Sequence, residues 1–170
     1  MKINKNCYVL YCQHYKIEQL MNRLNTKEDI FAFIPRMETY RRDVDHLVLT
    51  NMFPGYLFVL TKRSRNEFRD FLVNLGDEKS GLIKELKKDD VSSLTKDEIH
   101  LFESLLNQQG ILKMSYGKRI NGHSVALEGP LVHYSNEIRK VDFYRRQAYL
   151  SIQFLNRNII CGFTVDRKAE

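Results

Sequence analysis

Residues 7–12, "CYVLYC", are an unbroken apolar run rich in β-formers, which predicts a buried strand. "YKIEQLMNRLN" follows, with Ile17, Leu20, Met21 and Leu24 at i, i+3, i+4 and i+7, a helix with one apolar face. "IFAFIP" is strand-like again, and Pro35 limits how far it pairs as a central strand. "ETYRRDVDHLVLTN" predicts an exposed hairpin with a charged tip and Val44, Leu47 and Leu49 beyond it. In "MFPGYLFVL" the Pro54-Gly55 pair turns the chain just before a strand. Ser64 and Glu67 form a capping-box pair ahead of Phe68, Phe71, Leu72 and Leu75, a second amphipathic helix. "GLIKEL" is a short strand candidate. A second box, Thr95 with Glu98, starts a third helix that ends at Gly110.

The order β-α-β-β-α-β-α predicts an α+β fold, a split βαβ sandwich with helices on a mostly antiparallel sheet. After Gly110 the helical period stops. "QAYLSIQF" alternates, with Ala148, Leu150, Ile152 and Phe154 on one face; "NRN" reads as a turn and "IICGFTV" as another strand. Several short strands within about 50 residues predict a small β-barrel. A competing 3.5-residue period runs through Ile138, Val141, Ala148, Ile152 and Leu155, interrupted by Arg145; the alternation and β-branched content favour strands. The expected division is a domain over 1–108, a short linker over 109–117 and a barrel over 118–170.

Charge sharpens that division. Residues 1–108 carry 17 Lys/Arg against 16 Asp/Glu, whereas residues 109–170 carry 10 against 5. A net charge of +6 over 170 residues favours a polyanionic partner without requiring one. The three cysteines, Cys7, Cys12 and Cys161, form no C-x-x-C pair, so neither a disulfide framework nor a zinc site is expected, and a cytoplasmic setting fits. No apolar run reaches the length of a membrane span. Asp43, Asp45 and His46 in the hairpin, and His100 with Glu103 on the third helix, are the nearest approach to a catalytic cluster. Neither group has a second ligand set, and phosphate loops and nucleophile elbows are absent, so no enzyme and no cofactor is expected.

"YVLYC" in the first strand, "MFPGYLFV" before the second helix and "EGPL" opening the basic C-terminal part resemble the NusG family of transcription elongation factors. The resemblance covers essentially the whole chain. It implies an N-terminal NGN-type sandwich followed by a small SH3-like KOW β-barrel. "YRRDVDHLVLTNMFPGYLFV", "LTKDE" and "EGPL…VDFYRRQA" are similar to the LoaP-type antiterminators within that family, and "LYC" to RfaH. Two features depart from the pattern. Cys7 stands where the family usually has Trp, and His133 and Asn136 stand where the KOW segment has glycines; Asn136 is expected to supply a left-handed backbone in place of Gly.

The resemblance further implies the partners. Tyr11, Phe53, Tyr56, Ile99 and Phe102 match positions of an apolar patch that grips the clamp helices of RNA polymerase's largest subunit; composition alone reads the same five as core. Rings of Phe53 and Tyr56 flanking a rigid corner would form an open pocket with Tyr11 as a wall. His14, Lys16, Arg23, Lys27 and Lys79 match the end of the domain that takes nucleic acid, non-template DNA in RfaH-like members and a leader RNA hairpin in LoaP-like ones; alone they read as a solvated face. The barrel, basic through Lys118, Arg119, Arg139, Lys140, Arg145 and Arg146, would meet ribosomal protein or Rho through the loop "FLNRN" with Leu155 at its tip. A monomeric antitermination or elongation factor is the resulting expectation; a general NusG-like factor and a ribosome-associated RNA-binding protein are its rivals.

Overall fold

The structure, a computed structural model, describes residues 5–83 and 91–165. In chain order the elements are β1 (Asn6–Tyr11), α1 (Ile17–Leu24), β2 (Phe31–Phe33), β3 (Arg36–Arg41), β4 (His46–Asn51), β5 (Tyr56–Thr61), α2 (Arg65–Asn74), β6 (Val91–Ser93), α3 (Lys96–Leu105), β7 (Ile111–Leu112), β8 (Ser115–Ile120), β9 (His123–Glu128), β10 (Ile138–Asp142), β11 (Gln147–Phe154) and β12 (Arg157–Val165). The strand expected over residues 81–86 falls partly outside the described residues; within them Leu82 makes an isolated bridge to Cys12. Contacts divide the chain into two compact units, Met1–Pro35 with Phe53–Glu103, and Arg36–Met52 with Ser104–Glu170.

The first unit holds a four-stranded sheet in the order β2-β5-β1-β6. β5 pairs antiparallel with both β1 and β2, so β1 and β2 run parallel on either side of it, joined through α1, which is the split βαβ connection. Alternation in β5 decides which side each helix covers. Leu57 and Val59 join Tyr8, Leu10, Ala32, Ile17, Leu20, Leu24, Phe68 and Leu72 in one core under α1 and α2. Phe58 turns to the other face, where its ring lies 5.1 Å from that of Phe102 on α3. With both faces covered, Leu57, Phe58 and Val59 have no exposed surface. Both capping boxes form: Glu67 N donates to Ser64 Oγ and Ser64 N to Glu67, and Glu98 N donates to Thr95 Oγ1 and Thr95 N to Glu98. Asp29 ties the strand ends together, accepting from Lys5 Nζ (2.8 Å), Thr61 Oγ1 (3.1 Å) and Lys62 N (2.7 Å).

In the second unit β8 to β12 form one sheet in the order β10-β11-β12-β8-β9, and β3, β4 and β7 a second in the order β4-β3-β7. The hairpin of residues 36–52, read from sequence as part of the 1–108 domain, makes its contacts with this unit. Glu38 of β3 accepts from Met114 N (2.8 Å) and pairs with Lys113. Residues 138–142 and 147–154 are strands joined by a turn at 143–146, so the competing helical period is not realised. Ala148, Leu150 and Phe154 are buried as the alternation requires; Ile152 is half-buried because the register with β12 shifts between Tyr149 and Gln153.

Two local expectations need correction. The turn before β12 is not "NRN" but Leu155-Asn156, both with positive φ (48° and 59°), and Arg157 already pairs with Phe154. A two-residue connection with both φ positive matches the right-handed twist of the flanking strands, and that twist places the turn one residue earlier. His133 and Asn136 lie in a 3-10 segment, Pro130–Glu137, and neither takes a left-handed angle. The left-handed residue is instead Gly129 (φ 90°), before the segment, where an added Cβ would come within 2.8 Å of Ser115 Cα.

Candidate functional site

The corner at residues 53–56 is a turn with Pro54 at its second position and Gly55 at its third. Tyr56 N donates to Phe53 O at 3.0 Å, and Gly55 has φ 85°, the arrangement that requires a residue free of a Cβ at the third position. Cys12 N donates to Gly55 O at 2.7 Å and locks the corner to the end of β1. β1 and β5 pair with Tyr11 opposite Tyr56, and their rings meet edge to face, 5.1 Å apart at 63°. By strand alternation both tyrosines lie on the same sheet face as Phe58. Phe53 joins that face, 6.0 Å from Phe58 and 6.2 Å from Phe102. Ile99 stands one turn before Phe102 on α3, half-exposed.

The five aromatic and apolar candidates are thus brought to one side of the sheet, at two depths. Tyr11, Tyr56 and Ile99 are half-exposed. Phe53 and Phe102 are 4% and 2% exposed and lie within the ring stack. The expectation that Phe53 walls an open pocket is corrected: Pro54 is exposed at the bend, Gly55 is buried behind it, and Phe53 turns inward beside Phe58 and Phe102. Truncating it would cost stability, on the scale of a buried aromatic.

The basic candidates separate in a similar way. His14 is exposed and the neighbouring Tyr15 ring is 76% exposed, with Lys16 Nζ 5.6 Å from its centre. Arg23 is occupied: its guanidinium donates to the carbonyls of Glu78 (2.9 Å) and Ser80. Lys27 pairs with the Glu78 carboxylate. Arg23 on α1 and Lys27 in the turn after it fasten the segment after α2, which corrects the expectation of a fully exposed cationic stripe. Lys16 and Lys79 line a depression of about 770 Å³ with Gln13, Ser80 and Gly81. Gly81 is needed there, since its φ is 110° and a Cβ would meet Lys16 Cβ at 2.9 Å.

The groups weighed as catalytic are engaged in the hairpin and helix themselves. Asp43 pairs with Arg41, Asp45 accepts from Tyr40 Oη at 2.6 Å, and His100 lies 3.5 Å from Glu103. Burial pushes the thiols of Cys7, Cys12 and Cys161 up to about 12, so they stay protonated at neutral pH. Among the described residues no three His, Cys, Asp or Glu side chains are grouped to hold a metal, and no helix is long and apolar enough to cross a membrane.

The first unit is thus a split βαβ sheet covered by helices, with an aromatic corner at one end of β1 and β5. The family model described as transcription termination factor NusG matches residues 5–103. The chain belongs to the NusG family, and its work is therefore in transcription elongation or termination, with RNA polymerase as the family's general partner. No curated protein matches the chain.

Proposed function

We propose that this chain is a specialised NusG-family antitermination factor, whose NGN-like domain (1–108) binds the clamp helices of RNA polymerase's largest subunit and whose KOW-like barrel (118–170) carries a second contact, with ribosomal protein or Rho as its expected partners. It acts as a monomer without catalysis, in the cytoplasm, and disfavours paused and termination-prone states. The observation that carries this reading is the edge-to-face pair of Tyr11 and Tyr56, half-exposed on a hydrogen-bonded corner and backed by the buried Phe53, Phe58 and Phe102. Rigid aromatics supported from below offer a helical hairpin a large contact at small entropic cost. Recruitment by a nucleic-acid signal, a leader RNA hairpin or non-template DNA, is assigned to His14, Lys16 and Lys79. Arg23 and Lys27 shape that surface from behind.

Purified RNA polymerase, titrated with the intact chain, tests the reading. Tyr11→Ala with Tyr56→Ala should weaken binding roughly 30-fold, about 2 kcal/mol, while the unfolding midpoint changes little. Unchanged polymerase binding by the double variant would reject the tyrosine surface. Recovery of ribosomal particles in place of polymerase subunits would favour the ribosome-associated rival.

A further inference from the structure

Away from the tyrosine corner, the second unit has a groove of about 850 Å³ lined by Tyr40, Arg42, Tyr116, Phe143, Tyr144 and Arg146, among others. Its walls alternate rings and guanidiniums. Arg146 stacks on Tyr40 with its carbon 3.6 Å from the ring centre, and Arg42 on Tyr144 at 4.4 Å. Arg119 reaches toward Phe143 at 5.8 Å.

Backbone irregularities hold this arrangement open. A bulge in β9 opposite Tyr116–Gly117 leaves Leu127 as an extra residue, and both Tyr116 and Leu127 are turned outward, 45% and 54% exposed. Gly117 permits the close approach beneath them, because a Cβ there would fall 2.0 Å from the Val125 carbonyl oxygen. Arg146 has φ 51°, a left-handed backbone in a non-glycine residue, and its carbonyl accepts from Phe163 N at 2.8 Å. That strained turn aims Arg146 across Tyr40 and leaves Tyr144 67% exposed and Phe143 37% exposed.

We infer that this groove binds single-stranded RNA, with unpaired bases stacked on Tyr116, Phe143 and Tyr144 and phosphates paired with Arg42 and Arg146. The chemistry excludes the simpler occupants. A purely apolar partner would leave the guanidiniums desolvated, whereas a duplex presents no base faces to the exposed rings. Stacking platforms beside arginines suit an unpaired polyanion, and residues 109–170 carry 10 Lys/Arg against 5 Asp/Glu. Glu128, which also lines the groove, is an acceptor for the ribose 2′-hydroxyl that DNA lacks, so RNA is the occupant. The inference stands whether or not the Tyr11–Tyr56 surface binds polymerase, because its test contains no polymerase.

The test is fluorescence anisotropy of the intact chain with a labelled 12-nucleotide RNA of unstructured sequence, its DNA counterpart and a 12-base-pair RNA duplex, at low salt. Single-stranded RNA should bind tightest, with affinity falling steeply as salt rises. Tyr116→Ala with Phe143→Ala should weaken that binding about tenfold or more, and Tyr116→Phe should keep it, since the stacking face remains. An unchanged circular dichroism spectrum and unfolding midpoint of the alanine variant separate lost stacking from lost fold. Arg42→Ala should lower the affinity and flatten its salt dependence. No binding of single-stranded RNA, equal binding of DNA or duplex, or full affinity in the alanine double variant would each overturn the assignment.

Discussion

Two groups of aromatic residues, one in each unit, meet different partners. In the first unit rings stack on rings: Phe58 on Phe102, Phe53 beside both, Tyr8 on Phe68 at 4.6 Å, nearly all removed from water. In the second, rings stack on guanidiniums at the surface, Tyr40 under Arg146 and Tyr144 under Arg42. Ring–ring packing inside a sheet–helix layer contributes to the fold. Ring–guanidinium packing in water contributes less to stability and leaves faces and charges for a ligand. Residue type alone therefore does not separate scaffold from binding surface; the neighbouring side chain does.

The largest effect should come from the ring stack. Phe102→Ala removes the ring that covers Phe58 and should cost about 3–5 kcal/mol, measured as a lower denaturant midpoint. A loss below about 1 kcal/mol would mean that the stack is not core and would erase the contrast.

Acid should act next, and on the first unit. The Lys5 ammonium and then the Lys62 amide hold the Asp29 carboxyl down to about 2. A depressed folded-state pKa contributes stability that is present above the usual carboxylate value and is lost as pH falls from there through about 2. Asp29→Asn should flatten the pH dependence of the unfolding midpoint in that window. The same acid dependence in wild type and variant would assign it to other carboxylates.

Arginine–ring stacks should be weaker. Arg42→Ala is expected to cost about 0.5–1 kcal/mol, as an exposed cation–π contact does, although it should reduce RNA affinity clearly. A stability loss as large as that of Phe102→Ala would make the arginine ladder structural. Smallest of all, Lys27→Ala removes a surface ion pair with Glu78 and should shift stability by no more than about 1 kcal/mol.

Much of the first unit was legible in the chain because local rules and tertiary packing agree there. The period of Ile17, Leu20 and Leu24, both capping boxes and the Pro54-Gly55 turn each appear where they were read. In the second unit the alternation of residues 147–154 identified a strand, yet the strongest short hairpin signal, Asn121-Gly122 with φ 49° and 80°, went unread between β8 and β9. The third-helix residues Ile99 and Phe102 were grouped with Tyr11, Phe53 and Tyr56 by resemblance. Spacing along the chain carries no such information, because contacts between distant residues depend on strand order.

By itself the sequence determined most elements of the first unit, the two-part charge balance and the NusG-type motif "FPGYLFV", since periodicity, capping and turn chemistry act over a few residues. Tertiary structure alone decided that Phe53 faces inward while Tyr56 stays half-exposed, that Arg23 holds the carbonyls of Glu78 and Ser80, and that residues 36–52 bring Tyr40 and Arg42 against Arg146 and Tyr144. The physical reason is common to all three. A side chain's environment is set by which face of a strand it occupies and which element covers that face, and both follow from pairings between residues far apart in sequence.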